Sequence, residues 1–216
     1  MTWTGVNNPI LIGSTNDINI RGDIELDVNM TTTFSNSFKF NSITATPKTI
    51  TSNGVLINGD FEFNSLTGSH NFLDDFTSNK SIQLHNDTVT SIGVNMTLDA
   101  VISGETLARS LDITNSTYTL TGVDSTWIMN PLNLTLTTLG SEIIIDNILP
   151  TQSIIKGGGQ TYNTFRFLNT ESSLYDDNSF SILEIAPNSS LVIESGSSQS
   201  MDSLIANGSC SEMITI

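Results

Sequence analysis

The chain has 216 residues and a formal net charge of −15, set by 22 acidic against 7 basic side chains, and only 13% of its residues are charged. Such a surface repels phosphate backbones and anionic lipid, which argues against nucleic-acid binding and membrane-surface docking and leaves divalent cations as ions it could attract. Ser, Thr and Asn stand where the charges are missing; they suit strands and turns, while the good helix formers Ala, Glu, Lys, Arg and Gln are scarce, so helix is disfavoured before any pattern is read.

No apolar run approaches the roughly 20 residues of a membrane span, and no basic-then-apolar leader is present. An export signal is expected outside this chain, with Met1 ahead of Thr2-Trp3-Thr4-Gly5 reading as a start added to an excised segment. Cys210 is the single cysteine, so no internal disulfide forms.

In chain order, Trp3 is the first ring that could stack on a sugar. Ile18-Asn19-Ile20 and Ile24-Glu25-Leu26-Asp27-Val28-Asn29-Met30 alternate apolar and polar residues, the mark of strands with one buried face. Between them Arg21-Gly22-Asp23 spells an integrin-recognition tripeptide, at a place where a Gly-Asp turn is expected anyway. Phe38-Lys39-Phe40, Val55-Leu56-Ile57 and Phe61-Glu62-Phe63 continue the alternation, with Asn53-Gly54 and Asn58-Gly59 as sharp turns. His70 and His85 stand alone with no nucleophile motif nearby, and each is expected to be an exposed polar residue.

Asp74-Asp75, and later Asp176-Asp177, are adjacent carboxylates in turn-like surroundings. Calcium takes six to eight oxygen ligands, so these four are the candidate calcium ligands, with solvated turns as the default because no Asp-x-Asp-x-Asp-Gly loop is present. Further strands are expected at Leu111-Asp112-Ile113, Tyr118-Thr119-Leu120, Leu132-Asn133-Leu134-Thr135-Leu136, Ile143-Ile144-Ile145, Phe165-Arg166-Phe167 and Leu191-Val192-Ile193. Trp127 and Tyr175, with Tyr118 and Tyr162, complete the rings available for sugar stacking, although strands of this pattern usually bury them. Gly157-Gly158-Gly159 lacks the Lys-Ser or Lys-Thr of a phosphate loop and reads as a tight structural turn with positive φ.

Many short strands and no helical period make the chain all-β, in one segment spanning 1–216. The runs are shorter and less evenly spaced than those of a sandwich, which stands as the alternative. A right-handed parallel β-helix, or β-solenoid, suits them better, with coils of about 20–25 residues stacked at about 4.8 Å. Nine or ten coils would make a rod about 45 Å long, with Asn and Thr ladders between coils.

From residue 98 onward the order of motifs is distinctive. Ala108-Arg109-Ser110-Leu111-Asp112-Ile113, Ser116-Thr117-Tyr118-Thr119-Leu120-Thr121-Gly122, Trp127, Asn133-Leu134-Thr135-Leu136 and Gly157-Gly158-Gly159-Gln160-Thr161-Tyr162-Asn163 follow one another. This resembles the long repetitive surface proteins of Bacteroidetes-type bacteria, including the giant adhesins of gliding motility. The resemblance implies a secreted β-solenoid stalk at the bacterial cell surface, adhesion to surfaces or glycans, and neighbouring segments of one parent chain as partners. It implies no catalytic residues, and calcium at the aspartate pairs is the one cofactor in view. A carbohydrate-active β-helix (a polysaccharide lyase or hydrolase, or a phage-type receptor-binding spike) is the alternative, recognisable by a groove of facing carboxylates and exposed aromatics.

Overall fold

The computed structural model describes residues 8–13, 15–147, 152–168 and 171–208. Among them there is no helix, and every strand pairing is parallel. Short parallel strands need crossovers, and here each crossover is itself a strand of another sheet. The chain thereby winds through three main sheets in turn, and a separate two-stranded sheet pairs Ile10–Leu11 with Thr31–Thr32. Sheet I has nine strands, sheet II six and sheet III seven, and within each the strands stack in chain order. One coil runs Phe61–Phe63 in sheet I, Ser69–Phe72 in sheet II and Phe76–Thr77 in sheet III, then enters the next coil at Ile82–Leu84. The protein is a β-solenoid of about nine coils, and the sandwich alternative falls with the parallel pairing.

The core is a set of apolar columns. Along sheet I the register stacks Ile18, Phe38, Phe61, Ile82, Val101, Trp127, Ile155, Leu174 and Ile193 directly over one another. The steps between these partners vary from 19 to 28 residues, wider than the 20–25 expected, and in the widest the pairing shifts register between Ser125 and Trp127. Sheet III carries a second column, Phe76, Met96, Tyr118, Ile143, Phe165 and Leu183. At about 4.8 Å per coil, the eight steps of sheet I span about 38 Å.

The cross-section changes along the axis. Sheet II ends at Leu134–Thr137, and from there the chain passes from sheet I directly into eight-residue strands, Thr161–Leu168, Asn178–Ile185 and Gln199–Ala206. The missing corner survives as a bend inside each of these strands, where the ladder skips Asn163, Ser181 and Asp202 in register. Two adjacent residues that are not buried, Asn163-Thr164 and Ser181-Ile182, interrupt the alternation there.

Candidate functional site

The chemistry of the molecule is concentrated at the corners, where strands end and backbone donors need partners. Aspartates supply many of those partners, several of them across one coil. Asp23 Oδ1 accepts from the Thr49 N–H at 2.8 Å, so the acid of Arg21-Gly22-Asp23 is a bracket to the next coil. Asp60 Oδ1 accepts from the Ser81 N–H at 3.0 Å.

Both aspartate pairs follow one plan. Asp74 reaches back to the preceding coil and accepts from the N–H groups of Ser52 (2.8 Å) and Asn53 (2.5 Å), while Asp75 reaches forward to the N–H of Asn95 at 2.7 Å. Asp176 reaches back to the Gly158 N–H at 2.9 Å and Asp177 forward to the Ser198 N–H at 2.6 Å. A carboxylate that accepts backbone N–H bonds is stabilised in its charged form. The Asn95 N–H accordingly holds the Asp75 carboxyl below its ordinary value, and the Thr49 N–H does the same for Asp23. Among the described residues no group of three His, Cys, Asp or Glu side chains is placed to hold a metal ion.

The triple glycine is a turn, as its sequence implies. Gly158 and Gly159 both take φ of +65°. Gly157 is required for a different reason: a Cβ there would collide with the Asn178 side chain of the next coil. Tyr162 ties the turn to the core, donating from its hydroxyl to the Gly157 carbonyl at 2.7 Å while accepting from Trp127 Nε1 at 3.0 Å.

Three of the rings considered for sugar stacking are core residues. Trp127, Tyr118 and Tyr162 are completely enclosed, because each occupies an inward position of its strand. Tyr118 satisfies its hydroxyl against Ser91 Oγ at 2.7 Å. Tyr175 is half-buried at the end of its strand, with Lys156 Nζ 5.8 Å from the ring centre, and Trp3 lies outside the described residues, as does Cys210.

His70 is also a correction. It is fully buried, not exposed, since it alternates with Phe72 on the inner face of its strand and stacks in register between Lys48 and Val89. Its ring lies against Phe40 and Phe63 at 5.2 and 5.3 Å, and its Nδ1 approaches Asp87 Oδ2 at 3.0 Å without hydrogen-bonding alignment. His85 stays at the surface, 3.4 Å from Glu105. Arg109, unremarked as a site in sequence, is buried, and its guanidinium donates to Ser103 and to the carbonyls of Leu107, Asn130 and Leu132. These acceptors lie at the end of the strand Val101–Ser103 and in the corner loops that follow sheet I on two neighbouring coils, so the arginine is a staple holding two neighbouring corners.

Two surface hollows stand out. One, of about 490 Å³, is acidic, with Asp176, Asp177 and Glu194 around Gly158, Gly159 and Gly196. The other region lies along the corner between sheets I and II, where hollows of about 380 and 340 Å³ meet at Leu66 and Thr67. Its walls mix amides and hydroxyls with the exposed side chains of Ile43 and Leu66 and with Arg21 at one end. Thr88, Ser110 and Thr135 stand in register on three consecutive coils beside it, each pointing outward.

Fold and corners together define this chain as a parallel β-solenoid braced by aspartate and asparagine side chains between coils. Comparison with protein families, with curated proteins and with solved structures finds no match to it.

Proposed function

We propose that this chain is a structural and adhesive segment of a large secreted cell-surface protein, a rigid extracellular rod that supports attachment to surfaces or glycans. The observation that carries this reading is the unbroken apolar column of sheet I, from Ile18 to Ile193, through all nine strands. A molecule built by stacking transmits load along its axis through every ladder at once, and its length is set by the number of coils. The polar side chains serve the same end: the aspartates of the candidate pairs accept backbone donors from adjoining coils, and Arg109 is spent on loop carbonyls.

The similarity of residues 98–216 to surface adhesins of Bacteroidetes-type bacteria supports an address on the bacterial outer surface, with neighbouring segments of one parent chain as partners. On this reading the chain is not an enzyme. The test is to display the chain on the surface of non-adherent bacterial cells and count cells retained on glass and on polysaccharide-coated plates under flow. Increased retention supports the proposal; retention equal to that of cells displaying an unrelated β-solenoid of the same length overturns it. Release of reducing ends or unsaturated products from a polysaccharide panel by the purified chain, abolished by Asp176→Asn, would instead establish the carbohydrate-active alternative.

A further inference from the structure

We infer that the corner between sheets I and II is a binding groove for an uncharged polysaccharide chain lying parallel to the axis of the solenoid. The inference rests on the adhesive reading above and gives it a site and a ligand class.

Three observations carry it. The first is direction. The two hollows that meet at Leu66 and Thr67 are walled by equivalent corner positions of five successive coils, from Asn41 to Thr135, so the groove follows the stacking axis for about 20 Å. That length accommodates an oligosaccharide, and the two volumes, about 380 and 340 Å³, each fall in the range of small-ligand sites.

The second is unspent hydrogen-bonding capacity. Asn41 Oδ1 and Asn86 Oδ1, one in each hollow, are shielded from solvent and have no partner among the described residues. An amide oxygen in that position carries a desolvation penalty, which a ligand hydroxyl would remove once the amide turns toward the groove. Beside them the hydroxyls of Thr88, Ser110 and Thr135 recur on consecutive coils with no side-chain bond of their own among the described residues. Acceptors and hydroxyls repeating at the coil spacing suit a polymer of repeating hydroxyl-bearing units.

The third is charge. On a chain of net charge −15, the groove walls carry no exposed carboxylate. Asp87 is the one acid among them; it is 2% exposed, and its Oδ1 is held by the Thr88 N–H at 2.7 Å. Of the two arginines, Arg109 is buried and committed to the Ser103 hydroxyl and to backbone carbonyls, which leaves Arg21 at one end as the free cation among the described wall residues. A wall without exposed carboxylates, its one free cation set at an end, offers nothing to cations, which favour the acidic hollow, while the surrounding acidic surface repels anionic polymers. Neutral sugars are the class that remains.

The experiment is an NMR titration of the isotope-labelled chain with neutral hexasaccharides (β-1,4-glucan, β-1,3-glucan and α-1,6-mannan) and with oligogalacturonate as the anionic comparison. The expected result is shifts at 41–43, 64–68, 86–88, 108–110 and 133–135 with at least one neutral sugar and none there with oligogalacturonate. The double variant T88V/S110A should weaken that binding about tenfold, with an unchanged thermal midpoint showing that the fold is intact. Shifts mapping to another face, preference for the anionic sugar, or no shift with any neutral sugar would each overturn the groove. Retention of cells under flow is read separately: attachment that survives T88V/S110A sinks the groove and leaves the adhesive segment standing, whereas no attachment by the wild-type chain sinks both.

Discussion

At the corners of the solenoid single residues decide whether two coils can lie at stacking distance, and two glycines separate the contributions. Gly54 has φ of +75° with open space where a Cβ would stand, so Gly54→Ala should cost about 1 kcal/mol of backbone strain and little else. Gly158 combines φ of +65° with a Cβ position that collides with the Met129 carbonyl of the preceding coil. Gly158→Ala should therefore cost more, about 2–4 kcal/mol, because that oxygen belongs to backbone and cannot swing away. Urea denaturation of the two variants checks the difference; equal losses would mean that the collision is relieved by a shift of the coil. The aspartate brackets make a prediction of their own. Lys39 holds the Asp17 carboxyl below its ordinary 3.8, as the Thr49 and Asn95 N–H groups hold Asp23 and Asp75. A carboxyl whose pKa is depressed by folding stabilises the fold above its unfolded value and loses that contribution as pH falls through the folded one. The thermal midpoint should thus decline as pH drops below about 4, with Asp99, pushed upward by its burial, working in the opposite sense. Asp75→Asn should flatten the acid limb. Because the paired aspartates already serve backbone donors, millimolar calcium or EDTA should leave the midpoint near neutral pH unchanged; a rise with calcium would support the metal reading of Asp74, Asp75, Asp176 and Asp177. Much at this scale was open to sequence reading. The positive φ of the triple-glycine turn follows from composition, and inward-facing His70 was visible in the alternation Ser69-His70-Asn71-Phe72, where two positions separate it from a core phenylalanine. The double bracket of an Asp-Asp pair was not visible, since it depends on which coils become neighbours.

At the scale of the strand, what stacks is decided by the side chain one coil above and below. Phe40 lies on Phe63 with ring centres 4.7 Å apart, close to the coil spacing, and Phe38, Phe61, Phe72 and Phe76 surround them. Phe63→Ala should cost about 3–5 kcal/mol, because the coils above and below are fixed by their ladders and cannot close the gap. Trp127→Phe should cost less, about 1–2 kcal/mol, since Tyr162 loses the indole donor but keeps its bond to Gly157. Thermal or chemical unfolding of the two variants ranks them; a Trp127→Phe loss as large as that of Phe63→Ala would show that the indole, not the stack, organises the second half. Alternation located most strands correctly, Phe38–Phe40, Phe61–Phe63 and Ile18–Ile20 to the residue. It failed where apolar spacing continues past a turn. In Ile24 to Met30 the strand stops at Glu25, Asp27 Oδ1 takes the Asn29 N–H at 2.9 Å, and Val28 is left 70% exposed. Leu132 likewise stands outside its strand, which begins at Leu134, because Pro131 and the Asn130 side chain set a turn ahead of it.

For the molecule as a whole the informative property is that each coil contacts chiefly its neighbours, so stability is close to a sum over coils and interfaces. That makes length adjustable in whole coils and in no smaller unit. Removing residues 82–100 takes out one register step, after which Val101 would stack on Phe61 in place of Ile82, and Leu111 on His70 in place of Val89. Apolar or neutral residues succeed one another in both columns, and Asp87 leaves together with the coil, so His70 is not stranded beside a buried carboxylate. The variant should keep a β circular-dichroism spectrum and a cooperative melt. Small-angle scattering should find its long dimension shorter by about 4.8 Å. Removing residues 82–91 instead deletes strands of sheets I and II but keeps Asn95–Leu98 of sheet III, forcing a sheet III strand to follow a sheet III strand with no path round the core. That variant should lose cooperative unfolding. If both deletions behave alike, the coils are not independent units, and stability resides in the two aromatic clusters, around Phe61 and around Trp127, with the remaining coils as spacers.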